Sequence, residues 1–403
     1  MKLVTALLLF VACALALVSV ACGGSSAHTN AATTPVATSG SNVQAISVNS
    51  GVDANYANGI FTSVTVCAPG STSCQTIDNV LVDTGSSGLR ILSTALTVSL
   101  AQQTSTDGNP VAECLPFVSG FTWGPVETAD VQISGETAAS LPVQVIGESA
   151  FAVPAACSSQ GAAMDTVTAL GANGILGIGV FAQDCGGACT LTGASNPGLY
   201  YQCPSAGCAA ISESLSQQVQ NPVALFAQDN NGVIIELPAA SAPEPSLTGS
   251  LVFGIGTQSN NGLGSASIYN VDDFGNFITS YKNVAYNQSF IDSGSNGLFF
   301  LTSSLTGIVA CSGGDFYCPP TTQSLSAVTE GATNATSGTI DFSVANADNL
   351  FNNNPSAFVF PALAGPNSIS GFDWGLPFFY GRNVFTAIQG QSTPGGSGPY
   401  WAY

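Results

Sequence analysis

The stretch VLVDTGSSGLRIL, Val80 to Leu92, puts one acid, Asp83, at the end of an apolar run and follows it with Thr84-Gly85-Ser86-Ser87-Gly88. A strand bound for the interior has no use for a lone carboxylate, because a buried ion is costly unless hydrogen bonds or an opposite charge satisfy it. Gly85 lets the backbone approach closely and aim N–H groups at the carboxylate, while Thr84 and Ser86 bring hydroxyls that can orient it. One such triplet in a chain rich in Ser, Thr and Gly reads as an ordinary turn.

A second copy changes that reading. IDSGSNGLFFL, from Ile291, matches VDTGSSGLRIL, from Val82, as apolar, Asp, Thr or Ser, Gly, Ser, Ser or Asn, Gly, Leu, two variable positions, Leu. Two copies with matched apolar flanks imply a duplicated lobe, each setting one aspartate at the same structural position. If the lobes bring Asp83 and Asp292 together, with Gly85 and Gly294 close beside them and Thr84, Ser86, Ser293 and Ser295 as hydroxyl partners, both cannot ionise easily. The pair then shares one proton and titrates as a unit, a base and an acid in one site. Such a dyad can deprotonate a bound water while protonating a carbonyl oxygen.

Composition removes competing chemistries. The 403 residues are 45 % hydrophobic and only 7 % charged, with Lys2, Arg90, Lys282 and Arg382 as the whole supply of cations against 23 acids. A formal net charge of -19 repels nucleic acid and anionic headgroups. The single histidine, His28, excludes a Ser-His-Asp triad, a Cys-His pair and His-based zinc sites. No phosphate loop surrounds Lys282, which argues against nucleotide chemistry. No cofactor and no metal is expected.

The N-terminus, MKLVTALLLFVACALALVSVACGGSS, reads as an export signal over residues 1–22. Ser19-Val20-Ala21-Cys22 resembles a bacterial lipobox with serine in place of the usual leucine, which makes Cys22 a lipidation candidate. Residues 23–42 suit a flexible tether. The rest divides at two expected lobes, 43–222 with Asp83 and 223–403 with Asp292. Setting aside Cys13 in the signal and Cys22 leaves ten cysteines in an exported chain. Short separations favour Cys67 with Cys74 and Cys311 with Cys318, Cys114 with Cys157 is the longer pair, and Cys185, Cys189, Cys203 and Cys208 pair among themselves. Alternating segments such as SVTV, NVLV, DVQI and LPVQVI predict mostly β structure. Ala209 to Phe226 carries helical spacing and is the best candidate helix.

At these residues the sequence resembles the pepsin-like aspartic peptidases, and is similar also to bacterial exported proteins of unassigned activity that share the DTGSSGLR core. VDANYANGIFTSVTVCAPG looks like the hairpin opening the family's first lobe, with Tyr56 in the place of its usual tyrosine. NGILGIGVF, from Asn173, resembles the segment that threads behind the first aspartate, SLVFGIG, from Ser250, the strand opening the second lobe, and FDWGLPFFYGRNVFTAI, from Phe372, a looser copy of the second threading segment.

The resemblance implies a bilobal, mostly β fold with a central cleft. It also implies that Asp83 and Asp292 form the catalytic dyad of an endopeptidase cutting extended peptide with apolar side chains, that Thr84 and Ser293 interlock beneath it, and that Ser86 and Ser295 support the carboxylates. The alternative is a catalytically silent, pepsin-shaped surface protein that binds peptide or glycan in its cleft. Two departures from the family pattern stand out. Arg90 replaces the aromatic residue after the first motif, and the flap tyrosine has no counterpart in FVSGFTWGPVETADVQI, where Phe121 or Trp123 would have to serve. Arg90 is therefore expected either to pair with Glu127 on the flap or to end a solvated strand, and Trp123 and Trp374 either line the cleft or pack in the core. There is no basic propeptide. The expected protein is a monomer, secreted, periplasmic or held in the envelope, whose partner is a peptide or protein substrate and whose membrane contact is limited to an N-terminal lipid.

Overall fold

The computed structural model describes residues 36–403. The export signal, His28, the lipidation candidate Cys22 and most of the tether lie outside the described residues. The end of the stretch read as a tether is packed down. The Ser250 hydroxyl donates to the Ala37 carbonyl, and buried Asn42 donates from its amide to the Phe253 carbonyl at 3.0 Å. Packing against the body thus begins before Val43.

The alternating segments form strands because β-branched and aromatic residues suit a pleated, half-buried surface. Sheets of sixteen and seven strands contain nearly all of them. Val43–Asn49 pairs antiparallel with Gly59–Cys67 on one side and with Leu247–Phe253 on the other. Beyond Leu247–Phe253 follow Gly232–Glu236, Asn383–Ala387 and Tyr400–Ala402. Strands from the beginning, middle and end of the described chain therefore lie side by side and tie the two halves together. A contiguous core joins Val82, Leu89 and Leu176 of the first half to Ile291, Leu298 and Trp374 of the second.

The two motifs repeat one topology. Cys74–Asp83 runs parallel to Gly174–Ile178, and Ser87–Leu92 returns antiparallel to the same strand. In the second half Val284–Ile291 runs parallel to Phe372–Trp374, and Leu298–Phe300 returns antiparallel to it. Each threading strand thus passes between the two arms of an aspartate turn, as the NGILGIGVF and FDWGLPFF segments led one to expect.

Among the described residues five disulfides staple the loops: Cys67–Cys74, Cys114–Cys157, Cys185–Cys189, Cys203–Cys208 and Cys311–Cys318. They fit an exported chain. Among the described residues no helix is long and apolar enough to cross a membrane.

The expected helix over Ala209–Phe226 does not form. Ala209–Ala210 is a short strand, followed by single 3-10 turns at Leu215–Gln217 and Pro222–Leu225. Tertiary hydrogen bonds override the 3.6-residue pattern. The Gln218 amide donates to the Gly186 and Glu213 carbonyls, and the Asn221 amide donates to Gly179 O, which pulls the segment over neighbouring loops.

Candidate active site

Asp83 is the last residue of a strand whose final four positions are buried, so the carboxylate is delivered at the point where the chain must turn. It is 6 % exposed, while Asp292, at the matching place, is half-buried. The Gly85 N–H donates to Asp83 Oδ1 at 2.8 Å and the Ser86 hydroxyl to Oδ2 at 2.5 Å. In the second copy the Gly294 N–H donates to Asp292 Oδ1 at 2.7 Å and the Ser295 hydroxyl to Oδ2 at 2.9 Å.

The two loops cross beneath the carboxyls. The Thr84 N–H donates to Ser293 Oγ (3.1 Å) and the Ser293 N–H to Thr84 Oγ1 (2.9 Å), while each hydroxyl donates onward into the opposite lobe, Thr84 to Ile291 O and Ser293 to Val82 O. Four hydrogen bonds thus join two buried backbones with no donor left over. Glycine is required where the lobes meet. A Cβ on Gly85 would stand 2.6 Å from Asp292 Cγ, and one on Gly294 2.7 Å from Asp83 Oδ1.

The structure brings Asp83 and Asp292 together: each loop glycine packs against the opposite carboxyl, and both acids line one cleft. Burial first, and then the Asp292 charge, push the Asp83 carboxyl well above the usual carboxylate range, against the Ser86 and Gly85 hydrogen bonds that pull it down. Asp83 therefore keeps its proton to a higher pH than an isolated carboxyl would. Tyr56 stands close enough to feel both acids. Burial, then Asp292, then Asp83 push its phenol up to about 12.

A third carboxyl, which no sequence motif marks, lies under the second aspartate. Asp373, 5 % exposed, sets its Oδ2 at 2.6 Å from the Ser295 hydroxyl oxygen, and its Oδ1 has no partner. It occupies the threading-strand position that Ile175 fills in the first half, since Val82 pairs with Leu176 and Ile291 with Trp374. An acid in one copy where the other has an aliphatic residue was the signal available.

Above the dyad opens a cleft of about 830 Å³ lined by residues that include Tyr56, Asp83, Ser86, Asp184, Asp292 and Ser295. One wall is the tip of the hairpin Val111–Phe117 and Gly120–Ile133, with Leu115 to Ser119 facing the cleft. Several expected roles are corrected here. Phe121 and Trp123 are 4 % and 3 % exposed and pack away from the cleft, Trp123 edge-on against Tyr201 with its indole N–H on Phe151 O. Trp374 is a core residue whose indole N–H donates to Thr279. Glu127 is half-buried and does not meet Arg90. Burial and the Glu148 charge raise its carboxyl. Arg90 is fully buried, not at a solvated strand end, and its guanidinium bridges Glu113 (2.8 Å) and Asp184 (2.7 Å). Neither acid was singled out from the sequence, because nothing local marks them as partners of a residue far away in the chain.

Comparison with known proteins fits this geometry. The chain resembles the crystal structure of an aspartic proteinase from Irpex lacteus, with a TM-score of 0.52 and 15 % identity over 89 % of this chain and 96 % of that one. The fold is therefore the two-lobed pepsin-like one. Residues 38–403 match the family described as Protein of unknown function (DUF3443), and the chain belongs to that family. No curated protein matches the chain.

Proposed function

We propose that the protein is an aspartic endopeptidase that hydrolyses peptide bonds with a water activated between Asp83 and Asp292. One observation carries the reading: two carboxyls on matched loops, each with the same N–H and hydroxyl support and each packed against the other loop's glycine, line one open cleft. A silent binding protein gains nothing evident from holding two carboxyls so close. In the proposed reaction the ionised carboxylate takes a proton from water, the protonated carboxyl donates to the scissile carbonyl oxygen, and the tetrahedral diol collapses with proton transfer to the leaving nitrogen. No covalent intermediate is needed.

Thr84 and Ser293 hold the lobes in register, and Ser86 and Ser295 fix the carboxyl orientations. Residues 43–222 and 223–403 are proposed as the two lobes, and an extended peptide as the substrate. The protein is proposed to act outside the cytoplasm as a monomer, secreted or tethered through Cys22. Because the active pair must keep one proton, cleavage should be fastest on the acid side.

The test is mass spectrometry of a diverse peptide mixture incubated with the mature protein from acid to neutral pH, with Asp292→Asn in parallel. Cleavage that vanishes in the variant supports the peptidase. A folded, disulfide-bonded protein with no dyad-dependent cleavage at any pH would leave the silent, peptide- or glycan-binding alternative.

A further inference from the structure

Arg90 sits on the return arm of the first motif, within hydrogen-bonding reach of the loop that carries Asp83. Its Nη1 donates to the Ser87 carbonyl at 2.8 Å, next to the residue that supports Asp83, and its Nη2 donates to both Glu113 and Asp184. Glu113 belongs to the flap strand Val111–Phe117, so one guanidinium joins the Asp83 loop to the flap. The surroundings are polar, and the side chains are buried at the edge of the cleft that Asp184 helps to line. The Tyr200 hydroxyl donates to Asp184 Oδ1 at 2.7 Å and accepts the Val219 N–H, and the Gln144 amide holds the Glu113 carbonyl. Arg90 Nε and Glu113 Oε2 are buried without partners.

The charges do not balance. The three side chains are 0 %, 0 % and 1 % exposed, and a single cation faces two carboxylates. Lys282 and Arg382, the other described cations, are bound elsewhere, to Thr306 O and Phe378 O. The groups that face one another here are Arg90 from the motif strand, Glu113 from the flap, Asp184 from the loop after the threading strand, Tyr200 from Tyr200–Gln202, and neutral Gln144 from Glu136–Ile146. An unpaired ion in such a place is strongly disfavoured, so neutrality requires one proton on the Glu113–Asp184 pair. Burial, and then the Glu113 charge, hold the Asp184 carboxyl well above its usual range against Arg90 and Tyr200.

We infer that Arg90, Glu113 and Asp184 form a proton-dependent clasp that positions the flap hairpin against the Asp83 loop. With one proton on the pair the cluster is neutral and the hairpin is held. When that proton leaves, the buried cluster carries a net negative charge, and the hairpin loosens. Arg90 and Glu113 are positioning residues that act through the Ser87 backbone and the flap strand. The inference rests on the peptidase reading only where it concerns turnover.

The closing experiment therefore reads the flap directly. Hydrogen exchange of amides 111–133, corrected for intrinsic rate, is followed from acid to neutral pH in the wild type and in Glu113→Gln. The variant keeps Oε1 on Arg90, places its amide where Oε2 has no partner, and leaves one carboxylate facing the one cation. The expected result is hairpin protection that falls about tenfold or more with rising pH in the wild type, the factor expected if the held and loosened hairpins differ tenfold in proton affinity, and stays flat in the variant. Amides of Phe372–Trp374 should behave alike in both proteins. Asp184→Asn is the second variant and should give the same flat profile. Equal pH dependence of the hairpin in wild type and variants would overturn the clasp. If peptide cleavage is found, Arg90→Lys should raise KM more than it lowers kcat. Flat hairpin exchange in the variants without cleavage by any protein would keep the clasp and sink the peptidase.

Discussion

Asp373 reaches Asp292 through a single hydroxyl: Ser295 Oγ lies 2.6 Å from one carboxyl and 2.9 Å from the other. A hydroxyl has one proton to donate. If Ser295 gives it to Asp292, Asp373 must supply a proton of its own to Ser295. Burial, and then the Asp292 charge, raise the Asp373 carboxyl well above the usual range, which favours the protonated form that this arrangement needs.

The stability consequence has a definite sign. A carboxyl whose pKa is raised by folding contributes fully below its unfolded value, and that contribution is lost as pH rises through the folded value. A tenfold gain in proton affinity on folding is worth about 1.4 kcal/mol. Asp373→Asn, whose amide can donate to Ser295, should therefore match the wild type near pH ~3, below the ordinary carboxylate range, and exceed it in thermal stability near neutrality. Thermal unfolding across that range checks this, and parallel pH slopes for the two proteins would count against a protonated Asp373.

The crossed hydrogen bonds beneath the dyad should behave as one network. Thr84→Ala strands the Ser293 N–H and Ser293→Ala strands the Thr84 N–H, each in a buried site. Leaving a buried donor unsatisfied costs about 1–3 kcal/mol. The double variant should lose less than the sum of the singles, because residues sharing a network are not additive. Denaturant unfolding of the four proteins measures the coupling, and strict additivity would refute the crossed arrangement.

Gly85→Ala should separate folding from chemistry. Its Cβ would lie 2.6 Å from Asp292 Cγ, while the backbone at this position has no positive φ to strain. The carboxyl must move, and a displacement near 1 Å at a reacting group costs about a hundredfold in rate. The overpacking itself should cost about 1–3 kcal/mol. Cleavage assays beside thermal unfolding should show a folded protein of much reduced activity, and unaltered turnover would mean that the loops are not in contact.

The disulfides should differ in weight according to loop length. Cys114–Cys157 closes a separation of 43 residues and ties the flap strand to the Ala155–Ser158 turn, whereas Cys185–Cys189 closes 4. Chain-entropy arithmetic gives about 4 kcal/mol for the first and about 2 kcal/mol for the second. Serine pairs at the two sites, compared by denaturant unfolding, should fall in that order.

How much of the molecule is legible in its sequence depends on how far apart the interacting groups lie. Asp83 and Asp292 are legible because the turn around each is built from consecutive residues, so the same requirement wrote the same residues twice. Cys67 and Cys74 are legible because a short hairpin must bring them opposite one another. The Ala209–Phe226 segment misleads because its polar side chains are spent on the loops at Gly179 and Gly186, and helical spacing carries no trace of those partners. Arg90 stands out as a departure from the family pattern, but its partners, Glu113 and Asp184, come from two other segments.

By itself the sequence determined the two aspartate turns, their hydroxyl and glycine support, the alternation that makes strands, and the exclusion of histidine-based chemistry, all of which are set by residue identity and local spacing. Only the tertiary structure decided which acids meet Arg90, that Asp373 joins Asp292 through Ser295, and that Trp123 and Trp374 are packing residues. Those outcomes depend on long-range strand pairing, which places side chains from remote segments within hydrogen-bonding distance of each other and removes the water that would otherwise separate their charges.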